Sequence, residues 1–143
     1  MPRVPLLVGL LLLSGCGRLD ADPTPAASLD QALAAQDAAL RYIDRVNIYD
    51  ATSAVDLSSP DRAETTRRIL ASLQERQVRR TINAISRPDH CAQELPCRIH
   101  ISGQLLIKGQ QEGLFNAELV MGFRSGRWVV LESVGEELPT PPG

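Results

Sequence analysis

The stretch Arg98–Lys108 alternates more regularly than any other part of the chain, and it commits the fold to a sheet. Ile99, Ile101, Gly103, Leu105 and Ile107 fall on one face, and Arg98, His100, Ser102, Gln104 and Lys108 on the other. That is the period of a strand with one side buried. Gly109–Gly113 reads as a turn. Phe115, Ala117, Leu119, Met121 and Phe123 line the buried face of the next strand, with Asn116, Glu118 and Arg124 opposite. Ser125-Gly126 is a two-residue hairpin signal. It sets Phe123 across from Trp128, an aromatic pair worth about 0.2–1 kcal/mol. Trp128–Val134 forms the last strand, with Glu132 counted on the side of Trp128 and Val130. Gly135–Gly143, with three prolines and two glutamates, is expected to fray.

Helical spacing precedes the strands. Ser28 and Gln31 form an S-x-x-Q capping box. Leu29, Leu33, Leu40 and Ile43 then fall on one stripe, widened by Ala32, Ala39 and Val46, with Asp30, Asp37, Arg41, Asp44 and Arg45 opposite. This predicts an amphipathic helix over about 29–46, and its alanines should let it lie close to whatever it covers. Leu33, Leu40, Ile43, Phe123 and Trp128 are expected to share one core. Residues 47–58 show no sustained period. Ser59 is a second N-cap, with Pro60 at the first helical position and Asp61 and Glu64 near the positive end of the dipole. Ile69, Leu70 and Leu73 supply its apolar face. Val78, Ile82 and Ile85 point roughly 120° or more away from that face if one helix runs through both. The break predicts a helix end near Arg76 and a β-branched strand over Gln77–Ser86; a single helix reaching Ile85 is the alternative.

The expected architecture is therefore α+β: one long N-terminal helix and a second helix packed on a curved antiparallel sheet of three to four strands, as a single domain over 28–134. The element order and the ending Phe123-Arg124-Ser125-Gly126-Arg127-Trp128-Val129-Val130 resemble small bacterial members of the nuclear-transport-factor-2-like superfamily. That resemblance implies a cone-shaped sheet wrapped around the first helix. Residues 51–57 lack the small-helix pattern expected there. Enzymes of that superfamily place acids and aromatic hydroxyls inside the cone.

The N-terminus supplies an address. Arg3 precedes an apolar run, Val4–Leu13, that ends in Leu13-Ser14-Gly15-Cys16. A basic start, a short apolar run and a small-residue exit make a secretory signal. At about 1.5 Å per residue the run is too short to span a bilayer as a helix. Leu-Ser-Gly-Cys resembles the lipobox of bacterial lipoproteins. The resemblance implies removal of residues 1–15, acylation of Cys16, and a lipid-anchored, periplasm-facing protein of the cell envelope. Gly17, where enterobacterial lipoproteins kept in the inner membrane carry Asp, implies the outer membrane over the inner. Residues 16–27 then form a tether, whose eleven residues beyond Cys16 reach at most about 35 Å when stretched. Without Arg3 the mature chain carries 14 basic and 17 acidic residues, a balance of −3. Such a balance argues against nucleic acid, which needs a positive field, and against a polybasic grip on anionic lipid.

Cys91 and Cys97, an even pair in an exported chain, predict a disulfide. Closing so short a loop contributes about 2 kcal/mol. With His90 and His100 they also make four possible zinc ligands by count. The adjacency of His90 and Cys91 and the oxidising compartment favour the disulfide over zinc or free thiols. The spacing is not C-x-x-C, which argues against a redox role. Asp89-His90 is the only Asp–His neighbour pair, and adjacency in a loop is weak evidence for a dyad. No phosphate loop, nucleophile elbow or zinc-protease helix occurs. The reading is a membrane-anchored, non-catalytic accessory or adaptor subunit needing no cofactor or metal. Its protein partner is expected on the polar sheet face with Arg98, His100, Gln104 and Glu118. The alternative is a small-ligand-binding lipoprotein with a pocket between helix and sheet, near Tyr42 and Tyr49; an enzyme is the third class.

Overall fold

A computed structural model describes residues 25–88 and 91–137, with side chains from Leu29 onward. The signal segment, Cys16, most of the tether, Asp89, His90 and the chain from Leu138 lie outside the described residues. Helix α1 spans Pro25–Asn47 and α2 Ala51–Asp56; a 3-10 turn, Pro60–Arg62, leads into α3, Ala63–Glu75. Four strands come next: β1 Val78–Ile85, β2 Cys97–Ile107, β3 Gln110–Arg124 and β4 Arg127–Val134. They form one antiparallel sheet in sequence order. The helices pack on one face of it, so the fold is α+β.

The phase break after α3 is real. Gln77 takes a left-handed φ of 56°, and β1 starts at the next residue. Thr66, Ile69, Leu70 and Leu73 are the buried side of α3. Ser59 is extended with Pro60 following, as expected of a cap, yet its side chain makes no capping bond. The unassigned stretch holds α2, whose N-cap is Asp50 accepting from the Ser53 amide at 3.1 Å. Beyond α2 the chain adds itself to the free edge of β4. Ser59 N–H donates to Val130 O and Val130 N–H to Leu57 O, each at 2.9 Å. Such a cap removes unpaired groups that would otherwise invite another strand.

The strand alternation holds where it matters. Cys97, Ile99, Ile101, Phe115, Ala117, Leu119, Met121, Trp128 and Val130 are buried in one core with α1 and α3. Phe123 pairs with Trp128 across β3–β4, ring centroids 5.6 Å apart and edge to face. Ser125 and Gly126 both have positive φ, the geometry a two-residue hairpin requires. Lys108-Gly109 makes the same kind of turn (φ 53° and 82°), so β3 starts at Gln110 and the turn expected over Gly109–Gly113 is much shorter.

Two expectations about facing are corrected. The buried side of α1 is Ala32, Ala35, Ala39, Tyr42, Ile43 and Val46, while Leu33 is 44 % exposed, Leu29 is 41 % exposed and Leu40 is half-buried. Small side chains let the helix axis approach the sheet, and that closeness turns the leucine stripe to the rim. Leu33 and Leu40 are therefore not part of the core, which Ile43, Phe123 and Trp128 do share. In β4 the register shifts between Val120 and Met121: Met121 faces Val130 but Val120 faces Glu132, leaving Leu131 as an extra residue. A one-residue bulge reverses the facing of the residues beyond it. Ser133, not Glu132, points toward the helices, and Glu132 is exposed.

Candidate functional site

The helix side of the sheet encloses a charged cluster. Arg62 ends the 3-10 turn, Arg80 lies on β1, and Glu136 follows β4; they are 7 %, 3 % and 2 % exposed. Tyr42, in the buried row of α1, is fully buried beside them. The Tyr42 hydroxyl and an Arg62 nitrogen each donate to Glu136 Oε2 at 3.0 Å. The same Arg62 nitrogen reaches Ser133 Oγ at 2.6 Å, the side chain that the bulge turned inward. Arg80 approaches the other carboxylate oxygen at 3.6 Å, beyond hydrogen-bond reach. Its guanidinium stacks on Phe115, 4.7 Å from the ring centroid.

The backbone positions Arg80 from its far side. Asn47, the last residue of α1, accepts from Arg80 N–H at 3.0 Å and donates to Arg80 O at 2.7 Å, acting as a strand partner on the open edge of β1. The Tyr49 hydroxyl donates to Val78 O at 2.8 Å. Tyr42 and Tyr49 therefore do not converge: Tyr49 lies beyond the end of α1 and borders an open cleft of about 520 Å³ with Gln74, Arg79 and Lys108.

Among the described residues, two guanidinium groups face one carboxylate. Arg62 Nε, all three Arg80 nitrogens and Glu136 Oε1 are buried without a hydrogen-bond partner. Burial, then the Glu136 charge, pushes the Tyr42 hydroxyl well above the usual tyrosine range. Burial pulls Arg80 down, against the opposing pull of Glu136. Such a cluster can hold an anion by charge-assisted hydrogen bonds. The one periodic signal for it is that Arg80 shares the strand phase of Val78 and Ile82. Glu136 departs from the fraying expected of its segment, because a buried cation pair draws it in.

The residues expected to face a partner do lie together on the opposite side of the sheet. Glu118 binds Arg98 and, at 3.0 Å, His100 Nε2, with the Arg98 and His100 side chains 67 % and 69 % exposed. Gln104 continues the same strand parity, half-buried, its backbone N–H donating to Thr81 Oγ1 at 3.1 Å. His100, Ser102, Asn116, Glu118 and Val134 border a shallow cleft of about 400 Å³. Cys91 and Cys97 form the expected disulfide, Cα atoms 5.2 Å apart, at the start of β2. Among the described residues no three or more His, Cys, Asp or Glu side chains are grouped to hold a metal ion. None of their helices is long and apolar enough to cross a membrane.

No protein-family model matches the chain, and no curated protein matches it.

Proposed function

We propose that the chain is a cell-envelope lipoprotein, anchored through acylated Cys16 and facing the periplasm. It acts there as a non-catalytic accessory or adaptor subunit. The observation that carries the docking part is the asymmetry of the sheet. One face is filled by the helices and the buried cluster. The other leaves Arg98 and His100 two-thirds exposed about Glu118, with Val134 66 % exposed across from Glu118 and Leu114 75 % exposed across from Gln104. Exposed apolar side chains beside a small charged group suit an interface with an apolar centre and polar rim. The same reading takes the first helix and the meander as a nuclear-transport-factor-2-like cone. Register shifts in each strand pair support it, since bulges bend the strands that carry them.

The test is one set of variants in the native host. Cys16→Ala should leave an uncleaved or soluble form, and its intact mass should show no acyl chains. Combining Arg98→Ala, His100→Ala, Gln104→Ala and Glu118→Ala should leave the melting temperature within a few degrees. It should also abolish site-specific crosslinks from position 102 to an envelope protein. Crosslinks that persist at full yield would move the partner elsewhere. A mature N-terminus other than a lipidated Cys16 would remove the anchor.

A further inference from the structure

The chain turns inward directly after β4. Gly135 has φ 89°, and a Cβ there would lie 2.3 Å from Asn116 O, so glycine alone permits this path. Glu136 enters the space between α1 and the sheet, while Glu137 stays outside against Arg68 at 3.1 Å. Glu136 is thus the tip of a short arm that belongs to no helix or strand.

The groups that receive it come from three separate elements, and each is held by something else. Tyr42 is locked in the buried row of α1. Arg62 is held by Ser133 Oγ, and Arg80 by the Phe115 ring and the Asn47 clamp on its backbone. The receiving groups also exceed what the arm supplies. One carboxylate answers two guanidinium groups, and no nitrogen of Arg80 gains a hydrogen bond from it. A cluster serving stability alone would need one arginine, because a second buried cation adds a desolvation cost that this carboxylate does not offset.

We infer that Tyr42, Arg62 and Arg80 form a carboxylate-binding site that Glu136 occupies in cis, and that a small carboxylate ligand takes its place when the Gly135–Glu137 arm swings out. The incoming carboxylate accepts from the Tyr42 hydroxyl and Arg62 through one oxygen and presents the other to Arg80. A planar, singly charged, two-oxygen group matches the one now held there. Tyr42, Arg62 and Arg80 lie on the helix side of the sheet, apart from Arg98, His100, Gln104 and Glu118, so failure of the docking face leaves the carboxylate test standing.

Acetate and formate are the probes, with chloride at equal ionic strength as control. Glu136→Ala should melt below the wild type, and acetate or formate should raise its melting temperature by several degrees more than chloride does. The wild type should show no such difference, and neither should the Arg62→Met/Glu136→Ala double variant, which lacks the guanidinium that donates to the carboxylate. Equal responses of Glu136→Ala to acetate and chloride would overturn the site. If Glu136→Ala is unfolded, the same titration is followed by circular dichroism; refolding with acetate and not with chloride supports the site, and its absence overturns it. In the wild type, acetate should speed hydrogen exchange at Gly135–Glu137 while leaving β4 unchanged. Unaltered exchange there, at acetate concentrations that restore Glu136→Ala, would overturn the exchange of arm for ligand.

Discussion

Glu136 sits between two cations, and that imbalance sets what single substitutions should do. Glu136→Gln keeps the shape of the side chain but leaves Arg62 and Arg80 buried without a counter-charge. Breaking a buried pair in this way costs about 3–5 kcal/mol. Arg80→Met instead leaves Arg62 and Glu136 paired one to one. It removes a guanidinium whose three nitrogens make no hydrogen bond. Replacing a buried charge by an apolar side chain of similar length is often neutral or stabilising, so the change should stay within about 1 kcal/mol of the wild type. Urea denaturation of both variants measures the order; equal losses would make Arg80 as necessary to the fold as Glu136. Little of this was visible in the sequence. Arg80 shares a face with Val78 and Ile82, but a basic residue in that phase is usually read as a solvated side chain. Glu136 comes after the last strand among glycine, glutamate and proline, the composition of a loose end, and its buried position comes from Tyr42, Arg62 and Arg80, all distant in sequence.

At the scale of elements, periodicity was a better guide than side-chain size. The meander of β2, β3 and β4 was legible because alternation reports facing directly, and the Ser125-Gly126 turn set its register. The bulge at Leu131 was not legible, since it adds a residue without breaking the apolar pattern, and it exchanged Glu132 for Ser133 on the inner face. Helix α1 presents a different side to the sheet from the one its leucines suggest. Weighing leucines above alanines put Leu33 inside, whereas the alanine row touches the sheet. Leu33→Ala should therefore change stability by no more than about 0.5 kcal/mol, as a surface substitution does. Ala39→Leu, at a position with no exposure, should cost about 1–3 kcal/mol by forcing the helix off the sheet. Thermal or urea unfolding of the two variants reads this directly. A large loss from Leu33→Ala would return the leucine stripe to the core.

At the scale of the whole molecule, two of the polar ties that join the helix layer to the sheet have opposite character. The buried tie runs through Arg62 and Glu136. The other is at the surface: Arg127, beside the β3–β4 hairpin, donates two hydrogen bonds to Asp56 at the end of α2, at 2.9 and 3.1 Å. Those bonds, and the Arg127 charge with them, hold the Asp56 carboxyl below the usual aspartate range. A carboxylate whose pKa is depressed on folding contributes stability above its unfolded pKa, about 3.9, and loses that contribution as the pH falls through the folded value. Asp56→Asn should therefore melt below the wild type near neutral pH. The gap should stay constant as the pH is lowered to about 5, then close as it passes below about 4. Both partners are exposed, so salt should narrow the gap at neutral pH. The buried tie is shielded from ions, and the loss caused by Glu136→Gln should persist in the same salt. Differential scanning calorimetry of the two variants and the wild type, at low and high salt and across acidic pH, separates the ties. An Asp56→Asn gap that survives both acid and salt would mean that the surface tie acts by packing and not by charge.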